Sequence, residues 1–140
     1  MKMIQRLSLV SLLLYTMILM YWMLLGFGRR YTYSEYKYNL MPFETITHFL
    51  QTDRFNTSIW VVNIFGNIGV FVPFGILLPL LFGGKIKKSI SIFMIGLFSL
   101  ESLQFITRRG SFDIDDIILN SLGFLFGYCI YRVLALIFKR

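Results

Sequence analysis

The sequence predicts an all-α integral membrane protein: four transmembrane helices, with a short amphipathic helix in the loop after the first. Two observations carry this. Of the 140 residues, 56% are hydrophobic and only 15% are charged, against roughly 25% charged in a soluble domain. Mean hydropathy is +0.68. The apolar residues also gather into four runs, 7–27, 59–82, 89–106 and 117–138. Each is close to the ~20 residues a helix needs to cross ~30 Å of hydrocarbon. Residues 1–140 are read as a single membrane domain.

The first run carries no charge and follows Lys2 and Arg6. It resembles a signal peptide, but it is long for one and has no small-x-small cleavage site before Arg29, which predicts a retained signal-anchor. Residues 28–58 make a loop too long for a turn. It is rich in aromatics, Tyr31, Tyr33, Tyr36, Tyr38, Phe43, Phe49 and Phe55, which at a membrane interface are ordinary belt residues. Asn39-Leu40-Met41-Pro42-Phe43 reads as a turn, and Pro42 can open a short helix over 43–51. Its stripe of Phe43, Ile46, Phe49 and Leu50 suits a helix lying flat on the membrane surface. His48, alone on that helix, reads as a surface histidine.

The second run is uncharged and contains Pro73 and Pro79, expected to kink it and free backbone carbonyls. The third carries only Glu101. The fourth carries only Arg132, near enough to its end to snorkel to the interface.

Orientation follows from the basic residues. With four spans, the N-terminus, the short loop 83–88 and the C-terminus share one side. That side holds Lys2, Arg6, Lys85, Lys87, Lys88, Arg132, Lys139 and Arg140 and no acidic residue. The other side mixes Arg29, Arg30, Lys37, Arg54, Arg108 and Arg109 with Glu35, Glu44, Asp53, Asp113, Asp115 and Asp116. The positive-inside rule puts the first set, and with it both termini, in the cytoplasm.

Several function classes fall away. The basic residues flank apolar spans and form no separate basic domain, so no nucleic-acid partner is expected. Cys129 is the single cysteine, which excludes an internal disulfide. The sequence has no Ser/His/Asp or Cys/His nucleophile set, no phosphate loop and no zinc-ligand spacing, and no cofactor is expected.

What remains is a concentration of polar residues where they are costly. Helix rise of ~1.5 Å per residue places Asn63 ~6 Å and Asn67 ~12 Å below the outer surface, on one face of span two. Glu101 lies ~9 Å and Gln104 ~5 Å deep on span three, and Asn120 ~6 Å deep on the Asp116 face of span four. Three helices thus bring polar groups to one depth. Facing lipid would be expensive, so they should face one another around a pocket open to the outside, with Arg108, Arg109 and the three aspartates at its mouth. Gly123-x-x-x-Gly127 continues the same face of span four and suits close helix packing.

Each group has competing readings. Glu101 is either a functional carboxyl or a structural one, paired with Arg108 or Arg109 or bonded to Asn67. Asn63 and Asn67 suit interhelical hydrogen bonding as well as ligand contact. Asp115 or Asp116 can cap span four. Alternatively Asp113, Asp115 and Asp116 could join Glu101 around a divalent cation, or pair with the two arginines. Candidate ligand-binding residues are therefore Asn63, Asn67, Glu101, Gln104, Arg108, Arg109, Asp113, Asp116 and Asn120, with Glu101 the candidate catalytic group and the aspartates weak metal candidates.

Three blocks carry a family resemblance: Asn39 to Phe43; Asn63-Ile64-Phe65-Gly66-Asn67 through Phe71-Val72-Pro73-Phe74-Gly75; and Glu101-x-x-Gln104 through Arg109, Asp113, Asp116, Asn120 and Gly123. In these, over residues 39–128, the chain resembles the VanZ-like family of bacterial membrane proteins. The resemblance implies a small multi-pass protein of the cytoplasmic membrane. It also implies a link to raised resistance against teicoplanin-type glycopeptide antibiotics, a phenotype without an attached reaction.

The leading expectation is a membrane binding protein of the cell envelope. Its outward pocket would hold a lipid head group, a lipid-linked wall precursor or a lipid-tailed antibiotic. The alternative is a membrane-embedded enzyme acting on a lipid phosphate, with Glu101 as acid or base and the aspartates as a metal site.

Overall fold

The computed structural model describes residues 2–26, 34–51 and 57–138, with side chains at 2–26, 34–47 and 63–138. Expectations placed on Arg29, Arg30, Tyr31, Tyr33, Asp53, Arg54, Phe55, Lys139 and Arg140 and on the side chains of His48, Phe49 and Leu50 lie outside these residues. The elements are α1 (Met3–Leu25), β1 (Tyr38–Asn39), α2 (Glu44–Gln51), α3 (Thr57–Leu81), α4 (Ile86–Ile106), β2 (Phe112–Asp113) and α5 (Ile114–Ile137). Four of the helices are long and apolar enough to cross a membrane.

The apolar runs are legible as these four helices, with shifted ends. α1 begins at Met3, before the apolar run does, because Gln5 turns back to the chain start: its Oε1 accepts from the Lys2 backbone N–H at 3.1 Å. Its amide also donates to the Leu81 carbonyl at 3.2 Å, supplying one of the carbonyls a helix end leaves open. α3 stays helical through both Pro73 and Pro79. At the short connection to α4, Gly83 and Gly84 take φ of +61° and +85°, a region open to glycine at little cost.

α4 stops in a Schellman turn. Arg109 N–H donates to the Gln104 carbonyl and Arg108 N–H to the Phe105 carbonyl, both at 3.0 Å, and Arg108 takes the left-handed position with φ 53°. Glycine is the usual occupant there. α5 is capped by Asp113, whose side chain accepts from Asp115 N–H. The sequence suggested Asp115 or Asp116 for that role; both lie inside the helix.

α3 and α5 form the tightest pair. A Cβ added at Gly123 would collide with the Ile68 carbonyl, one at Gly127 with the Val72 carbonyl, and one at Gly75 with the Phe124 carbonyl. Small residues are what let membrane helices approach backbone to backbone. Beneath the polar residues lies an aromatic cluster. Phe93 stacks on Phe124 with ring centroids 4.5 Å apart, and Phe71 meets Phe93 edge-on at 5.9 Å.

The loops at one end of the bundle are joined by a ladder too short to be read from sequence. β1 and β2 pair in parallel, Tyr38 with Phe112 and Asn39 with Asp113.

Candidate functional site

The end of the bundle where α1 and α4 finish and α3 and α5 begin contains a cavity of about 350 Å³. Six polar residues line it: Asn63 and Asn67 from the first turns of α3, Glu101 and Gln104 from the last turns of α4, and Asp116 and Asn120 from the first turns of α5. These are the residues that equal depth on three helices singles out. Leu19, Trp22 and Met23 of α1 close the fourth side. They are spaced i, i+3, i+4 and so share a face. α1 is apolar all round, so sequence gave no reason to prefer that face.

Glu101 and Asn120 are each 1% exposed, and Gln104 is 4% exposed. Asn120 Nδ2 donates to Glu101 Oε1 at 3.5 Å, tying α5 to α4. Asn67 Nδ2 donates to Asp116 Oδ1 at 2.6 Å, tying α3 to α5. Asn67 therefore meets Asp116 and not Glu101. The buried Asn120 Oδ1 accepts no hydrogen bond from any described residue. Buried polar atoms are normally satisfied, so this oxygen is an acceptor available to a guest.

Gln104 has two tasks. It lines the cavity, and its Nε2 donates to the Met23 carbonyl at 2.9 Å. Arg109 acts beside it, Nη1 donating to the Leu24 carbonyl at 3.1 Å. A cation on the last carbonyls of a helix also meets the negative end of its dipole. The end of α1 is thus fastened by two side chains from the end of α4.

Arg108, Arg109 and Asp113 do not line the cavity. Arg108 lies over the Tyr36 ring, 4.8 Å from its centroid, and its Nη1 reaches the Ser34 carbonyl at 3.4 Å. Asp113 spends one oxygen on Asp115 N–H at 2.9 Å and the other on the Thr45 hydroxyl at 2.6 Å. Asp115, fully buried, accepts from the backbone N–H of Phe43 at 2.6 Å and of Ile46 at 3.1 Å. It caps α2 from across the fold, an anion on the N–H groups a helix start leaves open. Asn39 completes the clasp, accepting from Met41 N–H at 2.9 Å and donating to Thr45 Oγ1 at 2.9 Å.

The mouth foreseen from sequence is therefore two structures. Asp116 belongs to the cavity, while Asp113, Asp115 and the two arginines hold the loops and α1 in place. The three aspartates are turned to different partners. Among the described residues, no group of three or more His, Cys, Asp and Glu side chains is placed to hold a metal ion.

Comparisons with known proteins point to one family. The family description VanZ/LLP1 matches residues 12–137. Protein VanZ of Enterococcus faecium is 29% identical over 103 residues, covering 72% of this chain and 56% of that protein. The chain thus matches little more than half the length of that relative. No solved structure matches.

Proposed function

The chain belongs to the VanZ/LLP1 family, and on that premise we propose that it binds the polar head of an envelope amphiphile in the cavity between α1, α3, α4 and α5. The candidates are a membrane lipid, a lipid-linked wall precursor or a lipoglycopeptide. Each joins a polar head to an apolar tail. The basic loop Lys85–Lys88 at the opposite end supports an outward-facing cavity. The family likeness supplies a link to tolerance of teicoplanin-type glycopeptides, and this reading assigns that tolerance to occupancy of the cavity.

One observation carries this reading: Glu101 and Asn120, each 1% exposed, border an internal space of about 350 Å³. Helix packing alone is achieved here by glycines and apolar side chains. A buried carboxyl group beside an unsatisfied amide oxygen is a costly substitute for either, which marks a site. The wall offers amide donors together with carboxylate and amide acceptors, the pattern that recognises a head able both to donate and to accept.

The test is glycopeptide susceptibility measured alongside membrane protein level in cells expressing Glu101→Gln or Asn120→Ala. Both variants should accumulate and both should lose any tolerance the wild-type chain confers. Full tolerance in both would mean that the cavity is not the functional site. Disappearance of both from the membrane would make the polar cluster a folding element.

A further inference from the structure

A second space adjoins the polar cavity. It is an apolar groove of about 340 Å³ between α1 and α4, floored by Phe71, Phe74 and Leu78 of α3. Phe71 lines both spaces. Along α1 the wall passes from Trp22 and Met23 at the cavity to Thr16 and Leu12 in the groove. Along α4 it passes from Gln104 and Glu101 to Gly96 and Ile92. The two hydroxyls in the groove wall are spent on their own helices, Thr16 on the Leu12 carbonyl at 2.7 Å and Ser99 on the Ile95 carbonyl at 2.7 Å.

We propose that this groove holds one acyl chain of the amphiphile whose head occupies the polar cavity, and that the molecule enters sideways from the membrane between α1 and α4. This rests on the head-group reading above and adds the tail and the route. Four observations support it. First, α1 and α4 are fastened together at the cavity end, by Gln104 to Met23 and by Arg109 to Leu24, and the groove opens below that fastening. Second, Ile92, Gly96 and Ser99 on its wall are exposed on the side of the bundle, where the surroundings of a membrane-spanning helix are hydrocarbon.

Third, the groove runs along α4 from Leu103 to Ile92, a rise of ~16 Å. That is the depth of one leaflet, half of the ~30 Å hydrocarbon core. Fourth, the groove lining is apolar apart from Thr16 and Ser99, and an apolar space does not hold water. Lipid tails are the mobile apolar material at that depth. A polar chamber leading into an apolar one of leaflet length has the shape of a single-leaflet amphiphile. The ionisable side chains lining the polar chamber are the carboxyls of Glu101 and Asp116, which among the candidates above favours a neutral, hydroxyl-rich head over a phosphate.

The experiment uses the full chain in detergent. The probes are two forms of monoglucosyl diacylglycerol, one with oleoyl and one with hexanoyl chains, and bound lipid is counted by native mass spectrometry. An added Cβ at Gly96 meets open space, so the backbone there accepts a side chain; Gly96→Phe is the groove-filling variant and Gly96→Ala its control. The wild type and Gly96→Ala should hold the long-chain probe roughly tenfold or more tighter than the short-chain one. Gly96→Phe should abolish that preference by bringing long-chain binding down to the short-chain level. Asn120→Ala should weaken both probes alike.

A preference that survives in Gly96→Phe, or that is absent from the wild type, overturns the groove assignment while the head-group reading stands on the Asn120→Ala result. If the wild type holds neither probe, or if Asn120→Ala binds both as well as the wild type, the head-group reading fails and this inference fails with it.

Discussion

Asn67 and Asp116 meet across α3 and α5 at 2.6 Å, and the residue after Asn67, Ile68, is the one whose carbonyl a Cβ at Gly123 would strike. A polar contact of the pair thus adjoins one of its close backbone approaches. A hydrogen bond to a charged group contributes about 1.5–3 kcal/mol. Asp116→Ala should therefore lower stability by about 2 kcal/mol, and Asp116→Asn, which preserves shape, by about half of that. Thermal unfolding of the purified variants checks the order. Equal losses would show that shape, not charge, ties the two helices.

Glycine positions separate sharply. Gly127→Val must push α5 off the Val72 carbonyl, and overpacking of this kind costs about 1–3 kcal/mol or more. Gly69→Ala meets nothing within 4 Å and should leave stability within about 0.5 kcal/mol of wild type. Membrane accumulation and unfolding midpoint of the two variants decide the matter. A destabilised Gly69→Ala would place a partner where none is described.

The α2 clasp predicts a local effect. Asp115→Ala removes the acceptor for Phe43 and Ile46 N–H, a cap contribution of about 1 kcal/mol. Hydrogen exchange at residues 43–46 should accelerate while exchange in α3 and in the lower half of α5 stays slow. Uniform acceleration across the chain would make Asp115 a global support.

Orientation can be tested with single cysteines in a variant lacking Cys129. Leu40 and Lys87 are both exposed and lie at opposite ends of the bundle. Leu40→Cys should react with an impermeant maleimide in intact cells, and Lys87→Cys only after permeabilisation. The reverse pattern inverts the topology and places the cavity on the cytoplasmic side.

Much of this site could be read from sequence, because lipid makes polar side chains conspicuous. Asn63, Asn67, Glu101, Gln104, Asp116 and Asn120 stand out against apolar runs, and a constant helix rise assigns them one depth. What stayed hidden was decided by backbone partners. Arg109 and Asp115 serve carbonyl and N–H groups of Leu24, Phe43 and Ile46, and main-chain groups leave no signature in a sequence. Arg108 at the left-handed stop of α4 fills a position where glycine would have been expected. The α1 wall of Leu19, Trp22 and Met23 was invisible for the opposite reason: apolar residues within an apolar helix carry no contrast.

The clasp between Phe43 and Asp115 joins residues 72 positions apart, and its ladder joins Lys37 to Phe112. A chain made from its N-terminus onward has synthesised α1, α3 and α4 before either partner exists. Throughout that interval the segment 38–46 has neither strand neighbour nor cap. The loop that borders the bundle is consequently the last part to be set, and α5 is the element that sets it. A ribosome halted short of residue 112 would leave three inserted spans and an unfastened loop, so the timing of the fourth insertion governs when the molecule first acquires its polar cavity.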